Sequence, residues 1–161
     1  GCDVNQVDEN GRTPAYVAAQ QGHTDALELL INAGCDVNQA EKVGMTPAFI
    51  AAQQGHTDAL ELLINAGCDV NQASKYGETP ALIAAENGHT AALDILVEAG
   101  CDVNQAMKDG VTPALIAAEN GHTAAFKFLV RAGCDVNQAA KDGWTPAFLA
   151  ADMGQTAALE L

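Results

Sequence analysis

Apolar positions along this chain fall into two alternating helical rhythms. After Thr13-Pro14 comes a short stretch with small residues, Ala15, Ala18 and Ala19, at helical spacing. After Gly22 a second stretch sets Leu27, Leu30 and Ile31 on one stripe. The first predicts a helix of about eight residues, ~12 Å long, whose small side chains permit close helix packing. The second predicts a helix from about Thr24, with Asp25 favourably placed near the positive end of its dipole. Threonine can cap exposed N–H groups, and proline tolerates the first helical position, where its missing donor is not needed. Such pairs recur as Thr46-Pro47, Thr79-Pro80, Thr112-Pro113 and Thr145-Pro146. Gly22 and Gly34 can take the left-handed conformation that closes each helix.

The pattern returns every 33 residues, with Gly-Cys-Asp-Val-Asn-Gln beginning at Gly1, Gly34, Gly67, Gly100 and Gly133. A unit this short cannot bury a hydrophobic face alone, whereas stacked copies bury a continuous one, so the expected fold is an all-α solenoid. One domain is expected over 1–161: the end of a preceding repeat at 1–7, repeats at 8–40, 41–73, 74–106 and 107–139, and a partial repeat at 140–161. The chain thus reads as a segment of a longer array. Between helix pairs, segments such as 105–110 carry a turn signal, with Gly110 able to take positive φ. These turns are predicted to project as hairpins, and helices stacked about 8–10 Å apart would set the row of five over roughly 40 Å.

The residues of each unit, a turn with Gly, then Thr-Pro, an Ala-Ala pair, Gly-His, a Leu-rich second helix and Gly-x-Asp-Val-Asn, resemble the ankyrin repeat along the whole chain. The resemblance implies L-shaped helix–turn–helix units with β-hairpin loops, stacked into a gently curved solenoid. It also implies binding of other proteins through the hairpin tips and the concave face of the first helices. Where the family commonly has a histidine that ties neighbouring units by hydrogen bonds, this chain has Tyr16, Phe49, Leu82, Leu115 and Phe148. An apolar ladder is expected there instead, with Ala15 and its equivalents making room. Segments 13–39 and 46–72 differ only at Tyr16/Phe49 and Val17/Ile50, which suggests tandem duplication.

Charge narrows the partners. Seven basic residues against 21 acidic ones give a formal charge of −14, which opposes nucleic acid and anionic membrane surfaces and favours a basic protein or peptide. The 48% hydrophobic content is that of a folded chain. No apolar run approaches bilayer length and no signal-peptide pattern opens the sequence, so an intracellular, cytoplasmic setting is expected. Cys2, Cys35, Cys68, Cys101 and Cys134 recur at one repeat step, roughly 10 Å, beyond the ~7 Å that a disulfide spans. They read as small buried packing residues in a reducing compartment. His23, His56, His89 and His122, interrupted by Gln155, form a ladder of one residue type, which suits structural hydrogen bonding and not catalysis. With no CxxC, HExxH, P-loop or nucleophile elbow, neither an enzyme nor a cofactor or metal site is expected. Asp25, Glu28, Asp58 and Glu61 read as a solvated outer face; Lys127 and Arg131 stand one repeat step from Asp94 and Glu98, where cross-repeat ion pairs are expected.

Differences between copies carry the functional argument. Variation gathers in the hairpins: Asp8, Glu41, Ser74, Met107 and Ala140 in one row, and Asn10, Val43, Tyr76, Asp109 and Asp142 in the next. A third row, Arg12, Met45, Glu78, Val111 and Trp144, places apolar and aromatic side chains where a solvated turn needs none. The ends of the first helices add Gln20, Gln53, Glu86, Glu119 and Asp152, with Met153 beside the last. Their surface is uncharged in its N-terminal half and acidic in its C-terminal half, and Trp144 is the first candidate for a hot spot. Lys42, Lys75, Lys108 and Lys141 form a basic row attributed to turn solubility. The alternative function is a structural array that associates end to end, because the first unit presents Tyr16 and Val17 and the last leaves Phe148, Leu149, Leu159 and Leu161 without a following repeat.

Overall fold

A computed structural model describes residues 3–152 and 154; Cys2, Met153, Gln155, Leu159 and Leu161 lie outside the described residues. The Thr-Pro pairs start helices α1 (Pro14–Gln21), α3 (Pro47–Gln54), α5 (Pro80–Glu86), α7 (Pro113–Glu119) and α9 (Pro146–Asp152). Thr13, Thr46, Thr79 and Thr112 are buried, and each Oγ accepts from the N–H three residues on, at 3.1 to 3.2 Å. Gly22 (φ 67°) and Gly55 (φ 71°) close α1 and α3 in the left-handed conformation. In α5 and α7 the cap moves back one residue to Asn87 and Asn120, a residue type that competes with helix through its own side chain. Asn87 Nδ2 donates to the Ile83 carbonyl at 2.8 Å.

The Leu-rich stretches form α2 (Thr24–Asn32), α4 (Thr57–Asn65), α6 (Thr90–Glu98) and α8 (Thr123–Arg131). First helices pack in series, α1 on α3, α3 on α5, α5 on α7 and α7 on α9; second helices do the same from α2 to α8, and each first helix packs on its own second helix where both are described. Two helical layers therefore sandwich one continuous core. Leu27, Leu60, Leu93 and Phe126 are wholly buried in it, each worth roughly 1.5–3 kcal/mol. Ala15, Ala48, Ala81 and Ala114 are as deeply buried, and larger side chains there would push the layers apart. The expected apolar ladder forms: Tyr16, Phe49, Leu82 and Leu115 are buried, whereas Phe148 in the last unit is 58% exposed.

Three further devices join the units, and none was read from the sequence as an inter-unit joint. Asn5, Asn38, Asn71 and Asn104 each accept, through Oδ1, the N–H of Asp36, Asp69, Asp102 and Asp135 in the next unit, at 2.7 to 2.8 Å. The rings of His56, His89 and His122 lie over Gly22, Gly55 and Gly88 of the unit before, so close that a methyl group on these glycines would sit 2.7 to 2.9 Å from the ring. His89 and His122 also donate through Nε2 to the carbonyls of Gln53 and Glu86, at 3.1 and 2.9 Å, which matches the structural role expected of the ladder.

Two expectations need correction. Lys127 and Arg131 do not pair with Asp94 and Glu98: among the described residues the one ion pair is Arg12–Asp8, at 2.7 Å within a single turn. The cysteines are half-buried, not buried; Cys35, Cys68, Cys101 and Cys134 keep free thiols and pack against the core edge. Burial, and then the neighbouring aspartate, pushes the thiols of Cys68, Cys101 and Cys134 up to about 11.

Candidate binding surface

The connections between units are short fingers at 8–12, 41–45, 74–78, 107–111 and 140–144. Each is closed by a backbone bond from its first residue to the carbonyl of its fifth, as in Glu41 N–H to Met45 O at 3.0 Å and Ala140 N–H to Trp144 O at 2.9 Å. They are tight turns and not ladders of strand; among the described residues no strand forms. Neighbouring fingers are joined as well: Lys42, Lys75 and Lys141 donate their N–H groups to the carbonyls of Asn10, Val43 and Asp109, at 3.3, 2.8 and 2.8 Å. The Lys42 ammonium donates to Glu9 O and that of Lys108 to Lys75 O at 2.9 Å. Part of the basic row is thus a set of clasps between fingers.

Each finger needs a side-chain acceptor for its inner N–H groups, and the variable positions supply it in two ways. In the first three fingers the acceptor is the first residue: Asp8 Oδ1 takes Asn10 and Arg12 N–H, Glu41 Oε1 takes Val43 and Met45, and Ser74 Oγ takes Tyr76 and Glu78. In the last two the first residue is Met107 or Ala140, and the acceptor moves to Asp109 for Val111 N–H (3.2 Å) and Asp142 for Trp144 N–H (3.1 Å). Asp109 and Asp142, both exposed, therefore have a turn-forming duty. Arg12 is committed to Asp8, whose carboxyl it holds below its ordinary range through a side-chain hydrogen bond, and Glu78 accepts from Ser74 Oγ at 2.8 Å. Met45 is half-buried against the core, which accounts for its apolar character without a ligand. Val43 and Val111 are half-buried too.

Asn10, Tyr76 and Trp144 remain exposed on their fingers. Tyr76 is 60% exposed at the tip of the middle finger, its N–H held by Ser74. Trp144 is 38% exposed and sits edge-on to Phe148, ring centroids 4.7 Å apart, on the final finger. The second predicted row lies where the series packing of first helices puts it: Gln20, Gln53, Glu86, Glu119 and Asp152 occupy successive C-terminal turns of α1, α3, α5, α7 and α9. Gln20, Gln53 and Glu86 are half-buried; Glu119 and Asp152 are exposed. Met153 lies outside the described residues.

Among the described residues no three of His, Cys, Asp and Glu converge as metal ligands would, and no helix is long and apolar enough to cross a membrane. Comparison with curated proteins finds no match. A family model for ankyrin repeats (3 copies) matches residues 1–74, 33–107 and 81–161. With that match running from end to end, over paired helices stacked in series and joined by fingers, the chain belongs to the ankyrin-repeat family.

Proposed function

We propose that this chain is a non-catalytic interaction scaffold that holds a basic protein or peptide against its finger tips and the concave face of its first helices. Ankyrin repeats generally mediate protein–protein interactions. The observation that carries the reading is Tyr76: a large aromatic side chain, 60% exposed, on a finger whose fold is already secured by Ser74 and which neighbours clasp on both sides in sequence. Nothing in the packing calls for a tyrosine there, and a rigid aromatic group is the usual anchor of an interface. Trp144 is a second anchor at the end of the row, and Asn10, Val43, Val111 and the helix-end residues from Gln20 to Asp152 supply the surround. Glu86, Glu119 and Asp152 give the acidic half that a basic ligand would meet. The free thiols of Cys35, Cys68, Cys101 and Cys134 fit a reducing, cytoplasmic setting.

The test begins with affinity capture by the chain and by a double variant, Tyr76→Ala and Trp144→Ala, with circular dichroism to establish that both fold. A partner lost only with the double variant supports the reading. Its affinity should then fall about 30-fold with Tyr76→Ala alone, the scale of a hot-spot residue. Equal recovery by both proteins would move recognition to another surface.

A further inference from the structure

The geometry points to a second binding site on the outer layer, a groove between α4 and α6 that takes an arginine side chain of a second, basic partner. It lies on the second helices and not on the fingers, so it does not rest on the function proposed above. Ile64, Ile95 and Ala99, half-buried against the core, form an apolar floor, and Glu61, Asn65 and Glu98 stand exposed around it, enclosing about 310 Å³. Both helices are interior: α4 packs between α2 and α6, and α6 between α4 and α8. The groove is therefore a feature of a joint and not of an end.

The same place recurs one repeat step before and after, and the three differ in charge. Between α2 and α4 it holds Glu28, Asn32 and Asn65, with a single carboxylate. Between α6 and α8 it holds Asp94, Glu98 and Arg131, so the chain itself brings a cation there. Between α4 and α6 two glutamates face one groove and no basic residue joins them. Neither Glu61 nor Glu98 has an ion pair or a side-chain hydrogen bond among the described residues. Two unpaired like charges across one joint repel each other, and a cation between them would turn that repulsion into attraction.

The backbone favours the same occupant. α4 and α6 end at the groove, at Asn65 and Glu98, and the carbonyl end of a helix carries a partial negative charge that attracts cations. Neither last turn holds a basic residue, whereas that of α8 holds Arg131. Glu98 thus sits at the end of its helix where a carboxylate is least favoured. Arginine suits the groove better than lysine. Its planar guanidinium offers five donors, enough to serve carboxylates on both walls, and it is weakly hydrated, while its apolar stem can lie on Ile64 and Ile95. The formal charge of −14 draws such a partner in.

Titration of the isotopically labelled chain with acetyl-Gly-Arg-Gly-amide, beside its lysine and citrulline versions, reads the site through amide chemical shifts. The arginine peptide should give saturable changes gathered at 61–65 and 95–99. The lysine peptide should bind more weakly, and the citrulline peptide, of the same shape but uncharged, should not bind. Glu61→Gln and Glu98→Gln change exposed side chains, and circular dichroism verifies that each still folds. Each should weaken binding of the arginine peptide about fivefold. Glu28→Gln removes the same charge from the same layer and should leave the affinity unchanged. Changes spread over acidic residues along the whole chain would overturn the proposal. So would equal binding of the lysine or citrulline peptide, or a loss with Glu28→Gln as large as that with Glu98→Gln.

Discussion

At the scale of single residues, variation in the fingers divides into structural trade and free choice. Asp109 is the acceptor that Met107 cannot be, and Asp8 is the acceptor in a finger whose third residue is Asn10. Asp109→Ala should therefore lower stability by about 1 kcal/mol, the worth of one hydrogen bond, in a denaturant titration. Adding Met107→Asp should recover most of that loss by returning the acceptor to the first position. The sequence displays both rows but cannot show that they serve the same N–H groups, because that depends on turn geometry, so the turn hydrogen bonds of Asp109 and Asp142 were not legible in it. The cysteines make a second prediction at this scale. The thiols of Cys68, Cys101 and Cys134 are held near 11 in the fold against an ordinary value of 9.0, with burial the larger cause, so the folded state keeps protons that the unfolded state releases between these values. That contribution is complete below about pH 9 and is lost as pH rises toward 11. Melting temperatures measured from pH 8 to pH 11 should fall, and a Cys68→Ala, Cys101→Ala variant should show a shallower fall.

At the scale of elements, helix starts and stops were legible because their causes are local. Thr-Pro supplies a cap acceptor and a preset φ, and a glycine after the apolar stripe supplies the left-handed stop, so α1 to α8 lie where the repeat pattern puts them. The joints between elements were less legible. A histidine one unit away from a glycine in the sequence gives no sign that its ring will lie on that glycine, and the charge reversal from Asp94 to Lys127 suggested a pair that the helix spacing does not close. Gly55 and Gly67 separate the two duties of glycine here. Both have positive φ, 71° and 85°, but only Gly55 lies under a ring, 2.9 Å from His89 Nδ1 to an added methyl group; Gly67 has open space. Each alanine substitution carries the backbone cost of about 1–2 kcal/mol. Gly55→Ala should cost more than Gly67→Ala by about 1 kcal/mol or more, and in a His89→Ala background that excess should vanish, which a double-mutant cycle by denaturant titration measures.

At the scale of the molecule, near-identical units make near-identical joints, and that uniformity is what frees the remaining positions for recognition. Asn, His and the alanine pairs repeat because each must fit the unit before or after it; Tyr76, 60% exposed on its finger, is not held to such a fit. Composition and period were enough to foresee a solenoid of one continuous core, since no unit could fold on its own side chains alone. They were not enough to rank surface positions, since exposure differs between equivalent places on the fingers: Val43 is half-buried, and Tyr76 one repeat on is 60% exposed. The most direct test of this division is a map of amide chemical-shift changes along the isotopically labelled chain as the captured partner is added. Changes should gather at Tyr76 and the other finger tips and at the C-terminal turns of the first helices, from Gln20 to Asp152, leaving the second helices unmoved. Changes confined to α2, α4, α6 and α8 would contradict the account and place recognition on the opposite layer.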